Sequence, residues 1–351
     1  MNIIERIEAF DELSRKLNNL LIRQADPMDQ LDFDEILQKA EHYNPWFTQS
    51  NLKLAINNLT GILDKKSLET WIENYAEAQL EDSELRVGVI MAGNIPLVGF
   101  HDFLSVMISG KSIVAKLSSS DQFLLPYLTQ LLIEINPAFK SKITFESHLL
   151  KNFDAIIATG SNNARRYFDY YFSKYPHIIR GNRNSLAILS GNESADDLHL
   201  LGMDIFQYFG LGCRSVSKIL IPAHFKIESI LSAFDQYAQA MQHNKYFNNY
   251  EYNKAILLIN KVPHYDNGFL LMKEDQSLLS PVALLHYEIY KDLAAEIRRL
   301  NMQNEDIQCI VGSNLNIKNL VKFGETQSPG LMDYADNKDI IQFLIGLKKG
   351  Q

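Results

Sequence analysis

The residue best suited to covalent chemistry in this sequence is Cys213, in the segment Tyr208-Phe-Gly-Leu-Gly212-Cys213-Arg-Ser215. A thiol directly after Gly-x-Gly sits on backbone that can approach a substrate closely, and Arg214 with nearby hydroxyls favours the thiolate, the nucleophilic form. The competing reading is a small buried apolar residue, the common state of an unoxidised cysteine. Cys309, inside Gln308-Cys-Ile-Val311, fits that second reading better, so one nucleophile and one structural cysteine is the natural assignment. Three more segments stand where an apolar strand gives way to a turn. In Met91-Ala-Gly-Asn94-Ile-Pro96 the Asn94 amide can donate to a developing oxyanion, because ligands of open α/β sheets bind at the carboxyl ends of strands. The plainer alternative is a tight turn. In Ile113-Val-Ala-Lys116-Leu-Ser118-Ser119-Ser120 an ammonium and hydroxyls suit ribose or phosphate oxygens, although a solvated lysine explains it as well. Ala158-Thr-Gly160-Ser161-Asn162 opens a helix whose amides suit a pyrophosphate, or is simply a serine-capped helix start.

Familiar alternatives fail. Ser109-Gly110-Lys111-Ser112 ends like a phosphate-binding loop, but Ser105 stands where the first glycine belongs, and a strand follows instead of a helix. Gly210-Leu211-Gly212 runs on to Ser215, so the dinucleotide fingerprint G-x-G-x-x-G is absent. The nine histidines show no metal-ligand spacing and there is no G-x-S-x-G elbow, which counts against metalloenzyme and serine hydrolase readings.

The elements that must position these residues follow from periodicity. Residues 1–82 read as amphipathic helices: Ile4, Ile7, Phe10, Leu13, Leu17, Leu20 and Leu21 recur at three- and four-residue spacing, and cap-like Asp32 and Thr48 start later turns. Their apolar stripe packs into a core, or less simply lines a site for a greasy ligand or covers a partner. Strand-like runs then alternate with helical stretches at residues 86–91, 112–117, 143–145, 154–159 and 186–189, and again at 218–221, 255–259, 269–272, 283–287 and 307–311. This is the βαβα pattern of parallel sheets covered on both faces. The organisation expected is an α/β protein: a helical segment (1–82), a cofactor-binding α/β domain (83–205), a catalytic α/β domain carrying Cys213 (206–318) and a tail (319–351) returning to the cofactor domain.

The chain has 351 residues with 34 Lys and Arg against 42 Asp and Glu, a formal charge of −8. Its arginine pairs, Arg165-Arg166 and Arg298-Arg299, are isolated, which is not the footprint of a nucleic-acid binder. Two distant cysteines form neither a disulfide framework nor a zinc site, and fit a reducing cytoplasm. Glu5, Glu8 and Asp11 interrupt any secretory leader, and the most apolar stretch, residues 87–100, is too short to span a membrane.

Taken together and in order, these segments resemble the aldehyde dehydrogenase superfamily, and within it the LuxC-like acyl-CoA reductases that make long-chain aldehydes. The resemblance covers residues 84–345. Asn94 stands at the oxyanion asparagine, Lys116 at the cofactor-binding lysine, Gly160-Ser161 at the pyrophosphate turn and Cys213 at the nucleophile, with 22 residues from Asn94 to Lys116 and 33 from Arg180 to Cys213. The tail, from Phe323-Gly-Glu-Thr-Gln327 to Asp336, is also similar, with no role read for it beyond a turn-rich return. The resemblance implies two domains with Rossmann-like parallel sheets, a homodimer, and an acyl-CoA reductase that forms a thioester on Cys213 and releases coenzyme A. Arg180 stands where hydrolytic members carry a glutamate base, which disfavours water as the acyl acceptor. Ser119 stands where NAD-preferring members carry a carboxylate, so with Lys116 and Ser118 it points to NADPH before NADH. The alternatives are an acyltransferase that uses Cys213 without hydride transfer, and a catalytically silent scaffold that binds acyl-CoA or a protein partner.

Overall fold

The computed structural model describes residues 1–302 and 306–348. They form two compact units, one of Met1–Asn182 with the return segment from Gly330, the other of Arg183–Pro329.

The first unit begins with four helices, α1 (Ile3–Leu21), α2 (Pro27–Tyr43), α3 (Gln49–Thr60) and α4 (Lys65–Ile72). A capping box starts α1: the Asn2 side chain accepts the Glu5 amide and Glu5 accepts the Asn2 amide, both at 2.8 Å. Thr48 caps α3 as expected, but Asp32 lies inside α2, which Asp26 and Pro27 start, since proline at the first position needs no amide partner. Five parallel strands follow: β1 (Arg86–Ile90), β2 (Ser112–Lys116), β3 (Ile143–Phe145), β4 (Ala155–Thr159) and β5 (His177–Arg180), in the order β3-β2-β1-β4-β5. The order reverses between β1 and β4, the switch point where open sheets take ligands. Between the strands run α5 (Phe100–Ile108), α6 (Leu124–Ile135) and α7 (Asn162–Phe172).

The N-terminal helices do not stand apart. Phe10, Leu13 and Leu17 of α1 are fully buried in one core with Val87, Val89, Phe103 and Leu132, and the Phe10 ring meets Phe103 and Phe139 edge-on at 6.4 and 5.8 Å. The apolar stripe of α1 is thus used in packing, except for Ile4, which is exposed.

The second unit holds β6 (Asn184–Ile188), α8 (Ala195–Phe206), β7 (Val216–Pro222), α9 (Ile227–Ala233), α10 (Asn244–Ile259), β8 (Tyr265–Asp266), β9 (Leu271–Glu274), β10 (Leu284–Tyr290), α11 (Leu293–Met302), β11 (Ile307–Val311) and β12 (Leu320–Val321). Its sheet runs β12-β11-β6-β7-β10-β9-β8, parallel except for β8 against β9. The chain then re-enters the first unit through α12 (Ile340–Ile345), whose Ile340, Ile341 and Leu344 are fully buried.

Two expectations are corrected. The boundary lies at Asn182/Arg183, not near 205, because β6 pairs with β7 and β11 instead of extending the first sheet. Residues 255–259 are the end of α10 and not a strand. There Tyr246, Tyr250, Asn253 and Leu257 face inward at helical spacing, while Ile256, Leu258 and Ile259 are exposed. A short apolar run does not reveal its period.

Candidate active site

In the first unit the expected cofactor residues gather along one edge, at the carboxyl ends of the adjacent strands β2, β1 and β4. Ile90 pairs with Lys116 in register, and the Met91 amide donates to the Lys116 carbonyl at 3.0 Å. The turns that follow touch each other, since a Cβ on Gly93 would sit 2.5 Å from the Ser118 side chain. Only glycine allows this approach. Asn94 is exposed on the first turn; Lys116 and Ser118 are half-buried and Ser119 is exposed on the second. The two turns are tied by a residue that periodicity does not reveal. Leu97 adopts a left-handed φ of 57°, and its amide donates to Asp121 Oδ2 at 2.8 Å. Burial pushes the Asp121 carboxyl up to about 6.

At β4 the Gly160 amide donates to the Arg180 carbonyl, and a Cβ on Gly160 would lie 2.9 Å from that of Ala164. The first turn of α7 therefore closes directly onto the strand end. Exposed Ser161 caps it by accepting the Ala164 amide at 3.2 Å, and no acidic residue occupies that turn. A positive helix end without carboxylates, on the same sheet edge as a lysine and hydroxyls, fits the pyrophosphate and ribose of a dinucleotide. By contrast Lys111, of the discarded phosphate-loop match, is buried and donates to the Ser109 carbonyl at 2.9 Å, its pKa pushed down to about 8 by desolvation.

Cys213 belongs to the second unit, on the turn that enters β7. Before it, Tyr208, Phe209 and Gly210 all take left-handed φ, at 51°, 56° and 74°. Glycine takes this conformation freely, but at Tyr208 and Phe209 it is costly and must be held by the surroundings. Cys213 itself is half-buried, and its carbonyl accepts Ser185 Oγ at 3.0 Å. The same hydroxyl of β6 accepts the Cys309 amide at 3.1 Å, so the buried Cys309 strand serves as backing for the Cys213 turn.

The segment Phe323–Pro329 has a role that the sequence did not disclose. Buried Asp204 of α8 accepts the Gly324 amide at 2.7 Å and the Thr326 amide at 3.1 Å. Arg214 donates through Nε to the Thr326 carbonyl at 2.5 Å, and Gln327 donates to Ser215 Oγ at 3.0 Å. The residues on either side of the Cys213 turn are thereby clamped to a segment more than a hundred positions away. Arg214 thus serves as a clamp as well as a positive neighbour. Burial pushes the Asp204 carboxyl up to about 6.

The family model for acyl-CoA reductase (LuxC) matches residues 2–229. The chain belongs to the LuxC acyl-CoA reductase family. A long-chain acyl-protein thioester reductase of Aliivibrio fischeri is 25% identical over 173 residues, 43% of this chain, and the match spans 35% of that relative's length. Among solved structures, the aldehyde dehydrogenase KauB of Pseudomonas aeruginosa aligns with a TM-score of 0.62 at 13% identity, over 88% of this chain and 72% of that one. An aldehyde dehydrogenase of Bacillus cereus, solved as its NAD⁺ complex, aligns with a TM-score of 0.60 at 12% identity, over 89% and 72%. The aldehyde dehydrogenase-like fold expected from the motif order is therefore the fold observed. No helix among the described residues is long and apolar enough to cross a membrane, and no cluster among them could hold a metal ion.

In this LuxC-family chain Arg180, for which the sequence resemblance implies the position of the glutamate base, ends β5 as a buried side chain. Its Nη1 donates to both carboxylate oxygens of Asp102 at 2.9 Å. A guanidinium held this way does not take a proton from water.

Proposed function

We propose that the protein reduces a fatty acyl-CoA thioester to the aldehyde with NADPH, through an acyl thioester on Cys213. The observation that carries this reading is the Cys213 turn itself: three left-handed residues before it, and clamps on Ser185, Arg214 and Ser215 around it. Such outlay on holding one half-buried thiol is what a nucleophile needs.

In this reading the Cys213 thiolate bonds to the acyl carbon and the C–S bond to coenzyme A breaks, the thiol leaving with a proton. The Cys213 amide and the Asn94 side chain donate to the oxyanion. A bound reduced nicotinamide supplies hydride. The Cys213 hemithioacetal then loses its Sγ–C bond, releasing aldehyde and regenerating the thiol. Arg180 in place of a carboxylate base leaves water unactivated, which protects the acyl-enzyme from hydrolysis. NADPH is favoured because Ser119, exposed beside Lys116, brings no negative charge against a 2′-phosphate. A soluble cytoplasmic homodimer completes the proposal, supported by the exposed Ile256, Leu258 and Ile259 of α10.

The test follows nicotinamide absorbance and free coenzyme A together over acyl-CoA substrates of rising length. Matched NADPH loss and CoA release is the expected result, and Cys213→Ala abolishes both while nucleotide binding persists. Asn94→Ala slows turnover roughly 10²- to 10³-fold. CoA release without nicotinamide oxidation would replace this reading with acyl transfer or thioester cleavage.

A further inference from the structure

We propose that Arg180 and Thr159 form a site for an uncharged carbonyl oxygen at the carboxyl end of the first sheet. The inference rests on the reductase reading and deepens it by naming the group that this part of the site grips. Arg180 is only 5% exposed. Its Nη1 is taken by Asp102, yet Nε and Nη2 are buried and have no hydrogen-bond partner among the described residues. Thr159 is its register partner on β4, and the Thr159 hydroxyl is likewise buried and unmet.

The two side chains share a face. Ile157 and Ile178, two positions before them, both belong to the core that faces α5, whereas Ala158 and Ile179 belong to the cluster on the opposite face. Asp102 comes from the first turn of α5 on that same side. Neighbouring strand ends thus present three polar atoms without partners, a hydroxyl and two guanidinium N–H donors, and leaving such donors unmet costs free energy that a ligand recovers.

Charge selects the ligand. Asp102 balances Arg180, and the adjoining His101 is held neutral, its pKa pushed down by burial. A phosphate would need net positive charge to offset its desolvation, whereas a polarised N–H beside a balanced pair suits a neutral acceptor. Two carbonyls enter the proposed reaction, the carboxamide of a nicotinamide and the carbonyl of an acyl thioester. The experiment separates them.

Arg180→Lys keeps the charge opposite Asp102 but loses the planar fork; Thr159→Val keeps the Asp102–Arg180 pair intact and removes only the hydroxyl, so it serves even where the lysine variant fails to fold. For each, two quantities are measured: binding of NADPH against 2′-phospho-ADP-ribose, which lacks the nicotinamide, and CoA release from dodecanoyl-CoA without nucleotide. If the carboxamide is the ligand, NADPH binding weakens about 10- to 100-fold in Arg180→Lys and about 2- to 10-fold in Thr159→Val, while the ribose analogue binds as before. If the thioester carbonyl is the ligand, CoA release slows by similar factors and NADPH binding holds. Both quantities unchanged in folded variants of an active protein overturns the site. A wild-type protein that neither binds NADPH nor releases CoA overturns the reductase reading, and the carbonyl site with it.

Discussion

Asp121 shows how a buried carboxylate can tie two functional turns together at a cost that depends on pH. Burial raises its carboxyl to about 6, against roughly 3.9 in an unfolded chain. The folded state therefore holds this proton more tightly than the unfolded one. The resulting contribution to stability is complete below about pH 4 and is lost as pH rises through 6. Asp121→Asn keeps an acceptor for the Leu97 amide and removes the ionisation. Thermal unfolding between about pH 4 and 7 should then show the variant gaining on wild type as pH rises, and parallel curves would refute the assignment. Ser119 supports a second prediction at the same scale. Introducing a carboxylate there, Ser119→Asp, should weaken NADPH binding about tenfold, ~1.4 kcal/mol, and leave NADH binding nearly unchanged. A titration with both nucleotides checks it. The residues proposed to carry chemistry were picked out in the sequence because each stands beside glycine or at the end of an apolar run. Asp121, Asp204 and Ser185 were not, because an isolated polar residue carries no sign of burial.

Among elements, strands were legible where apolar runs end in turn residues, as for β1, β2 and β4. His177–Arg180 was missed because it offers two isoleucines between polar neighbours, and its strand character comes from pairing with β4. The end of α10 was misread for the opposite reason, an apolar run on a helix whose outer face is exposed. The clamp on the Cys213 turn lay beyond reach altogether. Asp204 with Gly324, and Gln327 with Ser215, are more than a hundred residues apart, and no local pattern encodes such a pair. That clamp is testable. Gln327→Ala leaves the Ser215 hydroxyl without its donor, and should cost about 1 kcal/mol of stability and slow CoA release, with NADPH binding unaltered. Gly210→Ala places a Cβ at a φ of 74° and should cost about 1–2 kcal/mol, read in the midpoint of denaturant unfolding. A turn that tolerates both changes with full CoA release is not held for catalysis.

At the scale of the whole chain, the return segment makes the first unit a structure of two distant pieces. Its residues complete that unit's core: the Trp71 indole donates to the Tyr334 hydroxyl at 2.7 Å, Tyr75 donates to Asp339 at 2.8 Å, and α12 packs on α5. Leu344 is fully buried there. Leu344→Ala should cost about 2–5 kcal/mol, the range for a leucine removed from a closed core. Because each unit has its own sheet and its own core, the loss should stay local. Native-state hydrogen exchange resolves the matter by element. Amides of β1, β2 and β4 should lose protection in the variant while those of β7 and β10 keep theirs. Equal loss in both sheets would mean that the two units unfold as one, and that stability at the Cys213 turn is drawn from α12 as much as from its own clamp.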